Sequence, residues 1–336
     1  RDLGKLQDAE ISTRKAIEIK PDYAIAHSNL GDILIDLGKC TELLLLSKLT
    51  LKSRSINQSF KLLALLRITI ANLLKKDFTE TQVNLKKTID LLNQEKVNNL
   101  KDAKVDRNVI FSFTRFIDSL YPLLEKDNRY SNTNIIPHFG ESHCLSFAHQ
   151  TISISSQLVQ IQPVLITGGK AWHFANNQNN QWKDSLTQQI KNHNYSDKVF
   201  ITFGEIDCRK NEGILKHSIE KNKNISEVCE ETIKGYINFM EKILTPLYSK
   251  KYYFGVPAPT KQKEYPDDLD IKRIKMIRYF NLILKKEVLI RGCYFLDVYK
   301  LTSDNEGINN NIHMCDEYHL TPKCLPVLFD KYLHKS

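Results

Sequence analysis

From residue 131 onward the chain alternates short β-rich runs with longer helical stretches, and this constrains the fold more than any other feature. The β-rich runs cover 134–139, 163–167, 198–203, 252–256 and 294–298. Helical patterns fill 143–157, 182–191, 226–248 and 269–288, and a last helix begins near Pro322 or Pro326 after a possible Thr321 cap. The runs are apolar enough to be buried on both faces, which predicts a parallel sheet with helices packed on it.

The segment after each strand is chemically distinct from the strand itself. Gly140-Glu141-Ser142-His143 comes after the first, Gly168-Gly169-Lys170 after the second, and Gly204-Glu205-Ile206-Asp207-Cys208-Arg209 after the third. Pro257-Ala258-Pro259 comes after the fourth, and Asp316-Glu317-Tyr318-His319-Leu320-Thr321-Pro322 lies beyond the fifth. Open α/β sheets place ligands outside the carboxyl ends of their strands. Every reactive or glycine-rich cluster of this half therefore falls where a site is expected.

These blocks resemble the SGNH, or GDSL-like, hydrolases and acyltransferases. Gly140-Glu141-Ser142 matches the first block, Gly168 or Gly169 the second, Gly204-Glu205-Ile206-Asp207 the third, and Asp316 with His319 the last. The resemblance implies a three-layer α/β/α domain over 131–336 on a parallel, flavodoxin-like five-stranded sheet. It also implies an esterase or acyl-transfer enzyme acting on O-acyl esters of small molecules or carbohydrates. Ser142 would attack, His319 would act as base and then acid, and Asp316 would orient His319. Gly168, Gly169, Gly204, Asp207 and Arg209 would hold the oxyanion or substrate. Glu141 stands where the family has aspartate, and Ile206 where it has asparagine, so that side chain has no donor to offer. The rival reading is an SGNH-like binding or scaffold protein with weak or no catalysis.

The residues themselves leave alternatives open. Ser142 on a strand-to-helix turn could be a helix cap as readily as a nucleophile. Arg209 could hold an anionic group or form an internal salt bridge with its loop. Cys144 and Cys208 flank the proposed site, and a thiolate there would need a positive neighbour such as His143 or Arg209. His313, Cys315 and His319 could suggest a metal, but their spacing matches no common zinc pattern, so no metal and no organic cofactor is expected. Trp172 and Phe174 could line a sugar or acyl pocket, or anchor their loop.

The front of the chain carries a repeat. Leu3-Gly4-Lys5 recurs as Leu37-Gly38-Lys39, 34 residues on. Between them stand Ala16, Pro21 and Leu30-Gly31, small residues and a turn proline at helix-pairing positions. This resembles the tetratricopeptide repeat over about residues 1–55, with 60–74 and 78–92 as a degenerate or capping pair. It implies an α-helical solenoid over 1–100 that recruits a protein partner. The first residue is Arg1, inside one repeat near the start of its second helix, and one and a half good repeats lead us to expect more upstream. Residues 101–130 read as a linking helix, apolar over 109–124 between polar flanks at 94–104 and 125–131.

Composition narrows the setting. Lys and Arg total 48 against 39 Asp and Glu, a formal charge of +9, with lysine spread along the whole chain. That describes a solvated surface, not a nucleic-acid-binding arm. No run approaches a membrane span. Seven scattered cysteines without a paired motif favour reduced thiols and a cytoplasmic setting.

Overall fold

The structure, a computed structural model, describes residues 2–53, 56–94, 106–124, 126, 134–154, 156–193, 195–260 and 267–335. The chain divides into two compact units, residues 1–126 and 127–336.

The first unit stacks helices α1 (Leu6–Ile19), α2 (Ala24–Asp36), α3 (Cys40–Lys52), α4 (Gln58–Leu74), α5 (Phe78–Leu92) and α6 (Arg107–Leu120). Successive helices pack as neighbours, and α6 packs on α4 and α5. The repeated Leu-Gly-Lys string acts as a helix stop. Gly38 takes φ +70, and the Lys39 N–H reaches back to the Leu34 carbonyl at 2.8 Å, closing α2. Gly4 adopts the same conformation, at φ +68. The turn occurs a third time without glycine: Lys76 has φ +63, and the Asp77 N–H bonds the Asn72 carbonyl at 2.9 Å. Asp77 then caps α5 by accepting from the Glu80 N–H. Gly31 makes room for a buried cation, because a Cβ there would lie 2.6 Å from Arg67 Cζ. The Arg67 guanidinium donates to the Ser28 carbonyl at 2.9 Å and pairs with Asp32 at 2.5 Å. Pro21 lies in the turn before α2, whose first residue is Ala24, so it shapes the entry to that helix from outside it. These helices form a generic solenoid and do not establish the tetratricopeptide family. The expected polar flanks of the linking helix fall mostly on residues outside those described.

The second unit contains one sheet: β1 (Asn134–Gly140), β2 (Thr151–Ile154), β3 (Gln157–Leu165), β4 (Lys198–Thr202), β5 (Lys250–Phe254), β6 (Tyr294–Leu296) and β7 (Leu333–His334). Its helices are α7 (Ala171–Ala175), α8 (Gln181–Asn192), α9 (Gly213–Lys221), α10 (Ile225–Leu244), α11 (Asp268–Ile290), α12 (Val298–Thr302) and α13 (Cys324–Lys331). The strand order is β2-β3-β1-β4-β5-β6-β7. β3, β1, β4, β5 and β6 run parallel to one another, while β2 and β7 pair antiparallel at the two edges. The expected five-stranded, all-parallel, flavodoxin-like sheet is therefore corrected. The sheet has seven strands, is mixed, and curls into a half-barrel.

At the β2 edge the physical reason is local. The helix expected over 143–157 does not form. A short 3-10 turn (Ser142–Phe147) leads into the alternating Thr151-Ile152-Ser153-Ile154, which buries Ile152 and Ile154 as a strand. Ser156, at φ +65, turns that strand back as a hairpin onto β3. The core lies on both faces of the central strands. Val199, Ile201 and Tyr253 face α8, α10 and α11, whereas Phe200, Tyr252 and Phe254 face the side that holds Phe147 and α13.

Candidate functional site

β1 must end in glycine. A Cβ at Gly140 would meet Cys144 Cβ and the Thr202 carbonyl, each at 2.9 Å. The chain passes this point into the 3-10 turn, and Glu141 caps it, accepting from the His143 N–H at 3.1 Å. Of the two adjacent polar residues it is Glu141, not Ser142, that caps. Ser142 is left half-buried at the first position of the turn.

His319 arrives from the far end of the chain on a tight loop. Asp316 Oδ1 accepts from the Tyr318 N–H at 2.8 Å and the His319 N–H at 2.7 Å, folding the four residues 316–319 around one carboxylate. The same carboxylate lies 2.8 Å from His319 Nδ1 through Oδ2. His319 Nε2 is 2.8 Å from Ser142 Oγ. Ser142, His319 and Asp316 thus form one hydrogen-bonded row, joining residues 177 positions apart.

The row stands against a buried ion pair. His143 Nδ1 is 2.7 Å from Glu141 Oε1, and His143 Nε2 is 2.9 Å from the Tyr318 carbonyl oxygen. The Tyr318 carbonyl can only accept, so Nε2 carries a proton, while Nδ1 lies within ion-pair distance of Glu141 without the alignment of a hydrogen bond. Burial alone would lower the His143 pKa, but the Glu141 carboxylate outweighs it and raises the value to about 9. Burial opposes the charge on Glu141 as well, yet His143 holds its carboxyl down at about 2. The His143 and His319 rings are 4.6 Å apart. Burial first, and the His143 charge with it, lower the pKa of His319 despite Asp316, so His319 is neutral at pH 7. Its Nδ1–H then points to Asp316, and Nε2 presents a lone pair to Ser142.

The other sequence candidates have different surroundings. Gly168 sits at φ +65, and the Gly169 N–H donates to the Ile166 carbonyl at 3.0 Å. Gly204, at φ +125, leaves space for Phe280, since a Cβ there would lie 2.8 Å from that ring. Asp207 is fully buried and caps α7 from outside it, accepting from the Ala171 N–H at 2.7 Å and the Trp172 N–H at 3.0 Å. Burial pushes its pKa up to about 6, against those two bonds. Arg209 donates to Glu205 from Nε at 2.9 Å and Nη2 at 2.6 Å, lies 3.5 Å from Glu212, and covers the Tyr318 ring. Phe174 is core, whereas Trp172 is 45% exposed. Cys144 and Cys208 are buried and their thiols are pushed well up by burial, which disfavours the thiolate. Among the described residues no group of three His, Cys, Asp or Glu side chains is arranged to hold a metal ion.

The Glu141–His143 pair is the feature that sequence reasoning missed. Its signal was present in the acid-serine-histidine string, where residues two apart on a turn can meet over the one between.

No protein-family model and no curated protein matches the chain. With the mixed, curled seven-stranded sheet, this overturns the likeness to the SGNH hydrolases, and the tetratricopeptide assignment lacks a matching family as well. The esterase or acyl-transfer reading, and with it the classification as a serine hydrolase or acyltransferase, is corrected on physical grounds too. Such chemistry needs donors aimed at the developing oxyanion. The Gly169 N–H is committed to Ile166, Arg209 is clamped by Glu205, and Ile206 offers only an apolar side chain. Ser142 also donates to Glu141 Oε2 at 2.7 Å, so a carboxylate competes with His319 for its single proton.

Proposed function

We propose that the second unit binds a small neutral hydroxylated molecule, of the carbohydrate class, at Ser142, His319 and Asp316. The helical unit serves as the protein-interaction part of the same chain, in a reducing, cytoplasmic setting. The half-buried Ser142 hydroxyl carries the reading. Ser142 and Asp316 are the two half-buried ends of a row whose histidine is buried, and Ser142 lies beyond the carboxyl end of β1.

Charge supports the choice of ligand. Glu141 and His143 cancel, His319 is neutral, and Asp316 keeps its charge because His319 holds its pKa down against burial. The row therefore has no cationic excess with which to attract an anion. A hydroxyl group both donates and accepts, which suits a serine oxygen beside an imidazole lone pair. The cysteines are all free, and no described helix is long and apolar enough to cross a membrane. Both observations are compatible with the proposed setting.

The test is a saturation-transfer NMR screen of mono- and disaccharides against the full chain, repeated with Ser142→Ala and His319→Gln. We expect at least one neutral sugar whose signal falls roughly tenfold in either variant, as for a lost buried hydrogen bond. Sugars that bind both folded variants as well as the parent protein, or a panel in which only anions bind, would refute the assignment.

A further inference from the structure

Between α9, α10 and α11 of the second unit lies an open groove of about 730 Å³. One wall is the 222–226 turn between α9 and α10, and the other is a single face of α11, on which Lys272, Lys275, Met276 and Tyr279 recur at helical spacing. The floor is apolar: Ile219, Ile225 and the buried Met276. Ile219 is 57% exposed.

The charge on this groove is one-sided. Lys223, Lys272 and Lys275 line it, and no Asp or Glu does. Among the described residues these three lysines enter no ion pair, whereas Lys210, Lys216, Lys234 and Lys251 of the same unit each have an acidic partner. Glu230, which the lining residue Tyr279 reaches through its hydroxyl at 2.6 Å, is also paired with Lys234 at 2.9 Å. Three uncompensated cations along an apolar floor leave a surface complementary to alternating carboxylates and aliphatic side chains.

We propose that this groove docks an acidic, aliphatic peptide segment of a partner protein. Carboxylates would lie against Lys223, Lys272 and Lys275, and an apolar side chain would cover Ile219 and Ile225. Peptide is favoured over nucleic acid because the groove holds no arginine and a single aromatic ring, Tyr279, on which a base could stack, while its floor is aliphatic. It is favoured over a lipid surface because the lysines line a concavity, not a projecting face.

The experiment uses the full chain and a fluorescein-labelled twelve-residue peptide of alternating Glu and Leu, read by anisotropy at 150 mM salt. The comparison probes are the same peptide with Gln for Glu, a single-stranded oligonucleotide, and phosphatidylserine vesicles. Two triple variants carry equal charge change: Lys223→Glu/Lys272→Glu/Lys275→Glu in the groove, and Lys48→Glu/Lys86→Glu/Lys87→Glu in the helical unit. All six lysines are exposed, so both proteins should fold, which circular dichroism checks. We expect the acidic peptide to bind the parent chain, and the groove triple to weaken it at least about tenfold while the distant triple changes it less than about twofold. The Gln peptide should bind at least about tenfold more weakly. The proposal is overturned if the acidic peptide does not bind, if both triples weaken it alike, or if the oligonucleotide or the vesicles bind more tightly and lose that binding in the groove triple.

Discussion

His143 is the residue on which the polar centre depends, because its charge is imposed by what surrounds it. Its folded pKa, about 9, lies above the ordinary histidine value of 6.5. The stabilisation it contributes is therefore complete below pH 6.5 and is lost as pH rises through about 9. Glu141 works in the opposite direction. Its folded pKa of about 2 lies below the ordinary 4.5, so its contribution is present above 4.5 and is lost as pH falls through about 2. Histidine NMR titration should find one imidazole still protonated at pH 8, and none in His143→Gln. That substitution strands the Glu141 charge and should cost about 3–5 kcal/mol in denaturant unfolding. Adding Glu141→Gln should recover part of the loss. A cost for His143→Gln below about 1 kcal/mol would show that the pair is not charged. Little of this was legible in the sequence. The Glu-Ser-His string was visible, but the Tyr318 carbonyl that accepts from His143 Nε2 lies 175 residues away.

Helix ends were legible where a glycine marked them, and less so where the backbone adopts the same conformation without one. Gly38 and Lys76 both stand in the left-handed region after a helix, at φ +70 and +63. That conformation costs an L-residue roughly 1–2 kcal/mol, and glycine much less. Lys76→Gly should therefore stabilise the protein by about 0.5–1 kcal/mol, and Gly38→Ala should destabilise it by a similar amount. A thermal melt of Lys76→Gly below that of the parent would contradict this account of the turn. Asp207 illustrates the limit of local reading. It was a candidate for substrate binding, yet its carboxylate closes the start of α7 from 35 residues away. Asp207→Ala should cost about 1–2 kcal/mol through the lost cap. It should leave sugar binding at Ser142 intact if the cap is its whole role, which the NMR screen can measure. The helix expected over 143–157 failed for a related reason. Thr151–Ile154 has the alternation of a strand, and a neighbouring strand was there to accept it.

Across the whole molecule, the sheet gathers chain ends that the sequence keeps apart. The carboxyl end of β1 supplies Ser142, and the loop beyond α12 supplies His319. The proposed sugar binding inherits its pH dependence from this assembly. It should be flat near neutrality, weaken in acid as His319 gains a proton below its ordinary 6.5, and weaken again above about 9 as His143 loses one. A binding constant that varies smoothly across pH 6.5–8.5, measured by calorimetry, would mean that neither histidine governs the site. The sequence alone placed the strands near 134–140, 198–202, 250–254 and 294–296 and the long helices α10 and α11, because such patterns arise from contacts a few residues apart. It put the second strand at 163–167, where β3 is Gln157–Leu165. It also located the polar clusters at strand ends. Only the tertiary structure decided that β2 and β7 close the edges antiparallel, that Arg209 is held by Glu205, and that Glu141 competes for the Ser142 proton. Strand order and such contacts depend on which surfaces meet after the chain has closed on itself, and a one-dimensional pattern carries no term for that encounter.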